Sequence, residues 1–201
     1  MIKAVIFDLW NTLAEKPISI SGTLKDYFGI NNPNYSSLFE NAMFRHKFKS
    51  KDEYAQTYCA VFNVPISEEK VEFIKKTIDE AIEGAKVFDT TRETLEDLSK
   101  DYKIGLISNT SQFEVLKPEW DLDKYFDVVQ YSFQSGYLKP YPFALDGIAS
   151  RLGCAPEECL FVDDMGKNVR AALDSGYTTY RMGDSSRLNT IGKKLKTYNN
   201  N

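Results

Sequence analysis

The 201-residue chain predicts an α/β fold: a Rossmann-like parallel sheet flanked by helices, with a helical cap subdomain inserted after the first strand. Three observations carry this. Short apolar runs recur with helical patterns between them, the signature of βαβ units. The alternation lapses between about residues 15 and 88, where helical periodicity continues without a convincing strand. And several apolar runs end on a polar residue able to do chemistry, as strands do at the carboxyl edge of an open parallel sheet.

The expected strands are Lys3–Phe7, Ile104–Ser108, Val128–Ser132, Cys159–Asp163 and Thr178–Met182. Thr90 and Glu93 have capping-box spacing, and Leu95, Leu98 and Tyr102 follow at helical intervals. Phe143–Leu152 reads as a helix stopped by Gly153, and Lys167–Ser175 as one stopped by Gly176. In the interval, Ser67–Glu83 has a capping serine, glutamates at its positive end and a stripe of Val71, Ile74, Ile78 and Ile82. Asn34–Phe44 and Lys51–Phe62 also read as helices, while Pro17, Gly22, Pro33 and Gly84 punctuate the stretch. The expected division is a core of residues 1–14 and 88–201 and a cap of residues 15–87. The C-terminal NTIGKKLKTYNNN reads as a weak helix with a frayed tail.

Composition narrows the function. Hydrophobic residues make up 42% and charged residues 27%, enough for a packed core. A net charge of -4 lacks the basic field of a nucleic-acid binder, and no apolar run is long enough to span a membrane. Cys59, Cys154 and Cys159 form no CxxC pair and read as reduced thiols of a cytoplasmic protein. The single histidine, His46, lies between Arg45 and Lys47 in a polar stretch. That argues against a histidine base or a histidine metal cluster.

Four segments carry candidate chemistry. AVIFD ends on Asp8, a carboxylate suited to nucleophilic attack, to holding a cation, or to capping a turn. LISNTS ends a strand at Ser108 and Asn109, which can hold anionic oxygens or cap a helix starting near Gln112. SGYLKPYP sets Lys139 in a turn, as a fixed cation or an ordinary surface lysine. CLFVDDMGKN places Asp163 beside Asp164, a costly juxtaposition unless a cation neutralises it; hard oxygen donors suit Mg²⁺. Asn168 can orient one of these carboxylates.

Strand–Asp, strand–Ser, loop–Lys and strand–Asp-Asp, in that order, resemble the haloacid dehalogenase-like hydrolase superfamily from Val5 to about Met182. FVDDMGKNVRAALDSGY is similar to the branch holding the phosphatase domain of soluble epoxide hydrolases and bacterial sugar-phosphate phosphatases. The resemblance implies that Asp8 is the nucleophile and a Mg²⁺ ligand. It implies that Ser108 and Asn109 hold the transferring group, that Lys139 balances charge, and that Asp164 binds the metal with Asp163 supporting it or sharing that duty. Trp10, two residues after the nucleophile, would offer its main-chain carbonyl to the metal and sit against the substrate.

Trp10 also departs from the phosphatase pattern D-x-D-x-T, in which the second aspartate moves protons; Thr12 fits it. Indole donates a hydrogen bond but does not titrate in range. Dehalogenases of the superfamily carry an aromatic residue there, yet they need no metal and commonly lack the aspartate pair. The expectation is therefore a Mg²⁺-dependent phosphatase acting on a small phosphorylated molecule. The alternatives are a 2-haloacid dehalogenase forming an ester on Asp8, or a weakly active or non-catalytic relative that binds a phosphorylated ligand or a protein. The substrate, the cap residues facing it and the oligomeric state are left open.

Overall fold

A computed structural model describes residues 1–183 and 185–199. The chain opens with β1 (Ala4–Phe7), every residue of which is buried. A short strand β2 (Ala14–Glu15) leads to α1 (Ile20–Tyr27), α2 (Tyr35–Met43), α3 (Lys51–Val61) and α4 (Glu68–Glu83), and then to β3 (Lys86–Val87). The alternating part follows as α5 (Thr91–Leu98), β4 (Lys103–Ser108), β5 (Val128–Tyr131), α6 (Ser132–Ser135) and α7 (Pro142–Leu152). β6 (Cys159–Asp163), α8 (Gly166–Asp174), β7 (Thr178–Arg181) and α9 (Ile191–Asn199) complete it.

The main sheet is parallel, in the order β5-β4-β1-β6-β7. β1 is central, paired with β4 on one side and β6 on the other, with Phe7 opposite Leu106 and Val162. After β5 the chain returns to the far side of β1, which creates a switch point at the carboxyl ends of β4, β1 and β6. Alternate residues of β1 serve different faces. Val5 and Phe7 pack with Leu95, Leu106 and Leu195, whereas Ala4 and Ile6 pack with Leu145, Ile148 and Ala172. All five expected strands are present with ends within a residue. Ser132, expected in a strand, begins α6 instead.

Gly105 faces the second of these layers. A β-carbon there would lie 3.0 Å from the ends of both Ile148 and Leu152 on α7. Gly105→Val is expected to cost about 1–3 kcal/mol through overpacking. A shift of the urea midpoint measures it.

α1 to α4 surround an apolar core of their own, including Leu24, Phe39, Tyr58, Ile74 and Ile78. Ser67 caps α4 by accepting from Lys70 N, and Ser19 and Ser50 cap α1 and α3 in the same way. α1 was not expected, because Pro17 and Gly22 read as breakers; Gly22 instead lies in the first turn, its N–H given to the Ser19 hydroxyl. The antiparallel β2–β3 pair, with Ala14 opposite Val87 and Glu15 opposite Lys86, joins the two ends of this segment. It corrects the expectation of a strand-free interval. Thr90 takes helical backbone (φ -88°, ψ -4°) where a capping box needs an extended residue. The segment near Gln112 is a turn rather than a helix start.

Ile191 and Leu195 of α9 are buried against the sheet, so the C-terminal helix is better anchored than its sequence suggests. The tail expected at residues 200 and 201 lies outside the described residues. Among the described residues no helix is long and apolar enough to cross a membrane. The three cysteines are buried and unbridged, and His46 is exposed.

Candidate active site

The candidate residues converge on the carboxyl rim of the sheet. Asp8 directly follows β1, Ser108 ends β4, Asp163 ends β6, and Lys139 comes from the turn between α6 and α7. Lys139 is one of the largest fully buried side chains in the chain, at 2% exposure, and Asp8 and Asp163 are 7% and 0% exposed.

An ammonium so deep must satisfy three N–H groups. Lys139 Nζ donates to Asp8 Oδ1, to Asp163 Oδ2 at 2.7 Å and to the Ile107 carbonyl at 3.2 Å. Burial alone would lower its pKa; the Asp163 and Asp8 carboxylates outweigh this and leave it raised, so the ammonium is held charged. Burial pushes the Asp8 carboxyl up to about 7; Asp163 and Asp164 add to the rise, and Lys139 opposes it. Asp164 is also raised, by burial and then by Asp163. Three carboxylates around one ammonium leave the rim with excess negative charge, a setting that a cation relieves.

The adjacent aspartates have separate duties. Both Asp163 oxygens are engaged: Oδ1 accepts from Met165 N at 2.8 Å and Asn168 Nδ2 at 3.0 Å, and Oδ2 accepts from Asn168 and Lys139. Asp163 therefore steadies Lys139 and the start of α8, which narrows the expectation that it contacts metal. Asp164, half-buried, lines the pocket with Asp8, Ser108 and Lys139. Asn11 Nδ2 reaches its Oδ2 at 3.5 Å. Asn11 holds a left-handed backbone (φ 61°), which an asparagine tolerates and which turns the chain after Trp10.

Ser108 is 1% exposed, and its Oγ has no hydrogen-bond partner among the described residues. A buried orphan hydroxyl at a pocket wall is ready to donate to an anionic ligand. Asn109, expected to share that task, has its side chain committed elsewhere. Its Oδ1 accepts from Lys139 N, and its Nδ2 donates to Lys139 O, both at 2.8 Å, so it fixes the lysine's main chain.

Trp10 packs rather than titrates. Its Nε1 donates to the Glu114 carbonyl at 3.3 Å, its edge meets Trp120, and Lys16 Nζ lies 4.5 Å over its ring. Lys16 is paired in turn with the buried Glu114. Trp10→Ala is expected to lower stability by about 1–3 kcal/mol, less than a fully buried tryptophan would, and Trp10→Phe to restore most of it. Denaturant midpoints of the two variants check this.

One residue with no sequence signal completes the rim. Glu40 of α2 enters the same pocket, its Oε1 3.0 Å from Lys167 Nζ and its Oε2 3.4 Å from Asn109 Nδ2. Glu40 looks like any polar residue of an amphipathic helix, and only the placement of α2 over the sheet reveals it.

Among the described residues, no group of three or more His, Cys, Asp or Glu side chains is disposed to hold a metal. This does not exclude a Mg²⁺ site, since this ion is commonly bound through one or two carboxylates, with waters and substrate phosphate completing the set. Asp8 and Asp164, with the Trp10 carbonyl, supply donors of that kind, and the excess negative charge fits them to a divalent ion.

The fold and the rim define a class: an α/β protein with candidate catalytic side chains gathered at the switch point of a parallel sheet. The chain belongs to the haloacid dehalogenase-like hydrolase family, whose profile matches residues 2–176. It is 35% identical over 118 residues to a phosphoglycolate phosphatase of Salmonella typhi, across 55% of this chain and 47% of that protein. The chain thus matches about half the length of this curated relative. Among solved structures, a predicted HAD-like family hydrolase from Porphyromonas gingivalis superposes with a TM-score of 0.73 at 24% identity, covering 97% of this chain and 98% of that one. A HAD family enzyme from Bacteroides thetaiotaomicron, in complex with magnesium and inorganic phosphate, gives 0.63 at 18% identity over 92% and 96%. A 2-haloacid dehalogenase from Pseudomonas syringae gives 0.66 at 19% over 98% and 100%. At these identities the structural likenesses establish the fold.

Proposed function

We propose that this protein is a Mg²⁺-dependent phosphatase of small phosphorylated metabolites, working through an aspartyl-phosphate on Asp8. The observation that carries the proposal is the rim itself: a lysine-held Asp8, the unpartnered Ser108 hydroxyl and Asp164 all face one pocket. The phosphoglycolate phosphatase relative supports a phosphorylated substrate, and the magnesium and phosphate bound by a structural neighbour support the cofactor. The helices of residues 15–87 act as the cap over the core of residues 1–14 and 88–201.

Asp8 attacks phosphorus in line as the bond to the leaving-group oxygen breaks, and water then cleaves the acyl phosphate. Lys139 fixes Asp8 and, by opposing the rise in its pKa, favours the ionised nucleophile. Asp163, Asn109 and the Ile107 carbonyl hold Lys139 in place, and Ser108 donates to a phosphoryl oxygen. Asp8, Asp164 and the Trp10 carbonyl would hold Mg²⁺, which, when bound, neutralises charge on the phosphoryl oxygens.

The aromatic residue at position 10 and the dehalogenase among the structural neighbours favour a second reading, dehalogenation by ester formation on Asp8. The aspartate pair at Asp163 and Asp164 weighs against it, because ester formation with halide loss needs no cation for that pair to hold. Turnover of p-nitrophenyl phosphate and acetyl phosphate with and without Mg²⁺ tests the proposal. Mg²⁺-dependent phosphate release supports it. Chelator-insensitive chloride release from 2-chloropropionate, without phosphatase activity, establishes the dehalogenase instead.

A further inference from the structure

We infer that Glu40, carried on the cap helix α2, is the acid–base residue that serves the leaving group in place of the carboxyl missing at position 10; this rests on the phosphatase reading above. Among the described residues lining the pocket, the titratable side chains are Asp8, Glu40, Lys139, Asp164 and Lys167. Asp8 is the nucleophile, and Asp164 is assigned to the cation. Lys139 has its donors committed to Asp8, Asp163 and the Ile107 carbonyl. Glu114, on the wall of the adjoining pocket, is buried and held by Lys16 and Ser111, so Glu40 is the carboxyl left for proton transfer.

Its position fits that role. A second pocket adjoins the first and shares Trp10, Phe44 and Asn109 with it. Consecutive residues of α2 divide between the two: Phe39 lines the outer pocket and Glu40 the inner one. Glu40 thus lines the inner pocket with Asp8 and Lys139, one residue along α2 from the outer pocket that would take the rest of the substrate. Asn109 and Lys167 steady its carboxyl from the core side, so cap placement and proton delivery are coupled.

The proton balance is complete without any added reagent. In the first step, the Asp8–phosphorus bond forms, the bond from phosphorus to the leaving oxygen breaks, and the Glu40 proton passes to that oxygen to give the alcohol. In the second, the Glu40 carboxylate takes a proton from water as its oxygen attacks phosphorus, which releases inorganic phosphate and Asp8 and restores the Glu40 acid.

Leaving-group dependence is the test, because a residue that only latches the cap affects all substrates alike. In Glu40→Gln, kcat/KM for an alkyl phosphate such as glycerol phosphate is expected to fall about 10²-fold or more relative to p-nitrophenyl phosphate, whose leaving group needs no proton. Glu40→Ala is expected to regain alkyl phosphate turnover with added formate. Equal losses on both substrates with no rescue by formate, or no loss on either, overturn the assignment of Glu40 while leaving the phosphatase reading intact. The same substrate dependence in Lys167→Met but not in Glu40→Gln also overturns it, with Lys167 as the donor. A wild-type enzyme that turns over neither phosphate overturns both.

Discussion

Asp8→Asn is expected to reduce Mg²⁺-dependent phosphatase turnover by at least about 10³-fold, the order seen when a hydrolase loses its nucleophile. An amide oxygen is too weakly nucleophilic to attack phosphorus, and the ligand it would offer a cation is neutral. The loss will not come from unfolding. Asp8 sits among Asp163 and Asp164, and burial with these neighbours raises its carboxyl to about 7 in the metal-free protein. The native state therefore binds more protons than the unfolded chain between the ordinary carboxyl range and about pH 7. The stability contributed by neutral Asp8 is full below that range and is lost as pH rises through about 7. Asp8→Asn is neutral throughout and escapes that loss. At pH 8 without metal, its thermal midpoint should equal or exceed that of the wild type, while its activity is near background. Parallel assays of melting and turnover check both halves.

The second large effect is on stability. Lys139→Met removes the ammonium but leaves Asp163 at the end of β6 with 0% exposure and Asp8 beside it. Breaking a buried ion pair by deleting one partner costs about 3–5 kcal/mol, because the remaining charge is stranded in a poor solvent. Asp163 keeps Asn168 and Met165 N, while Asp8 loses the ammonium on its Oδ1. Activity falls too, since Asp8 loses the cation that aims it and favours its ionised form. Adding Asp163→Asn removes one stranded charge, so the double variant should recover part of the lost stability, a non-additivity expected of partners in contact. It should not recover turnover. Denaturant unfolding of the wild type, both single variants and the double variant gives the coupling directly.

Much of this site was legible in the amino acids. β1, β4 and β6 announce themselves as apolar runs because a parallel sheet buries both faces, and chemically able residues at their ends mark the rim. The spacing that placed Val71, Ile74, Ile78 and Ile82 on one helix face is a direct imprint of the helical period. What was hidden depends on pairing across long distances. β2 and β3 are two residues each, too short for alternation to register. Asp163 and Asp164 are the same residue type side by side, and the contacts of Lys139, Asn168 and Met165 show that the first is spent on structure while the second faces the pocket. Asn109 reads as a ligand for oxygens until Lys139 is seen between its two hydrogen bonds. Glu40 has no local signature, because its part depends on where the cap meets the core.

The most direct test of the central claim is to trap the covalent intermediate. Wild-type protein mixed with acetyl phosphate and Mg²⁺, quenched in acid within one turnover and examined by peptide mass spectrometry, should carry one phosphoryl group on the Asp8 peptide. The adduct should be sensitive to hydroxylamine and absent from Asp8→Asn. Phosphatase turnover that persists undiminished in Asp8→Asn, or a phosphoryl group on any other residue, would contradict the account.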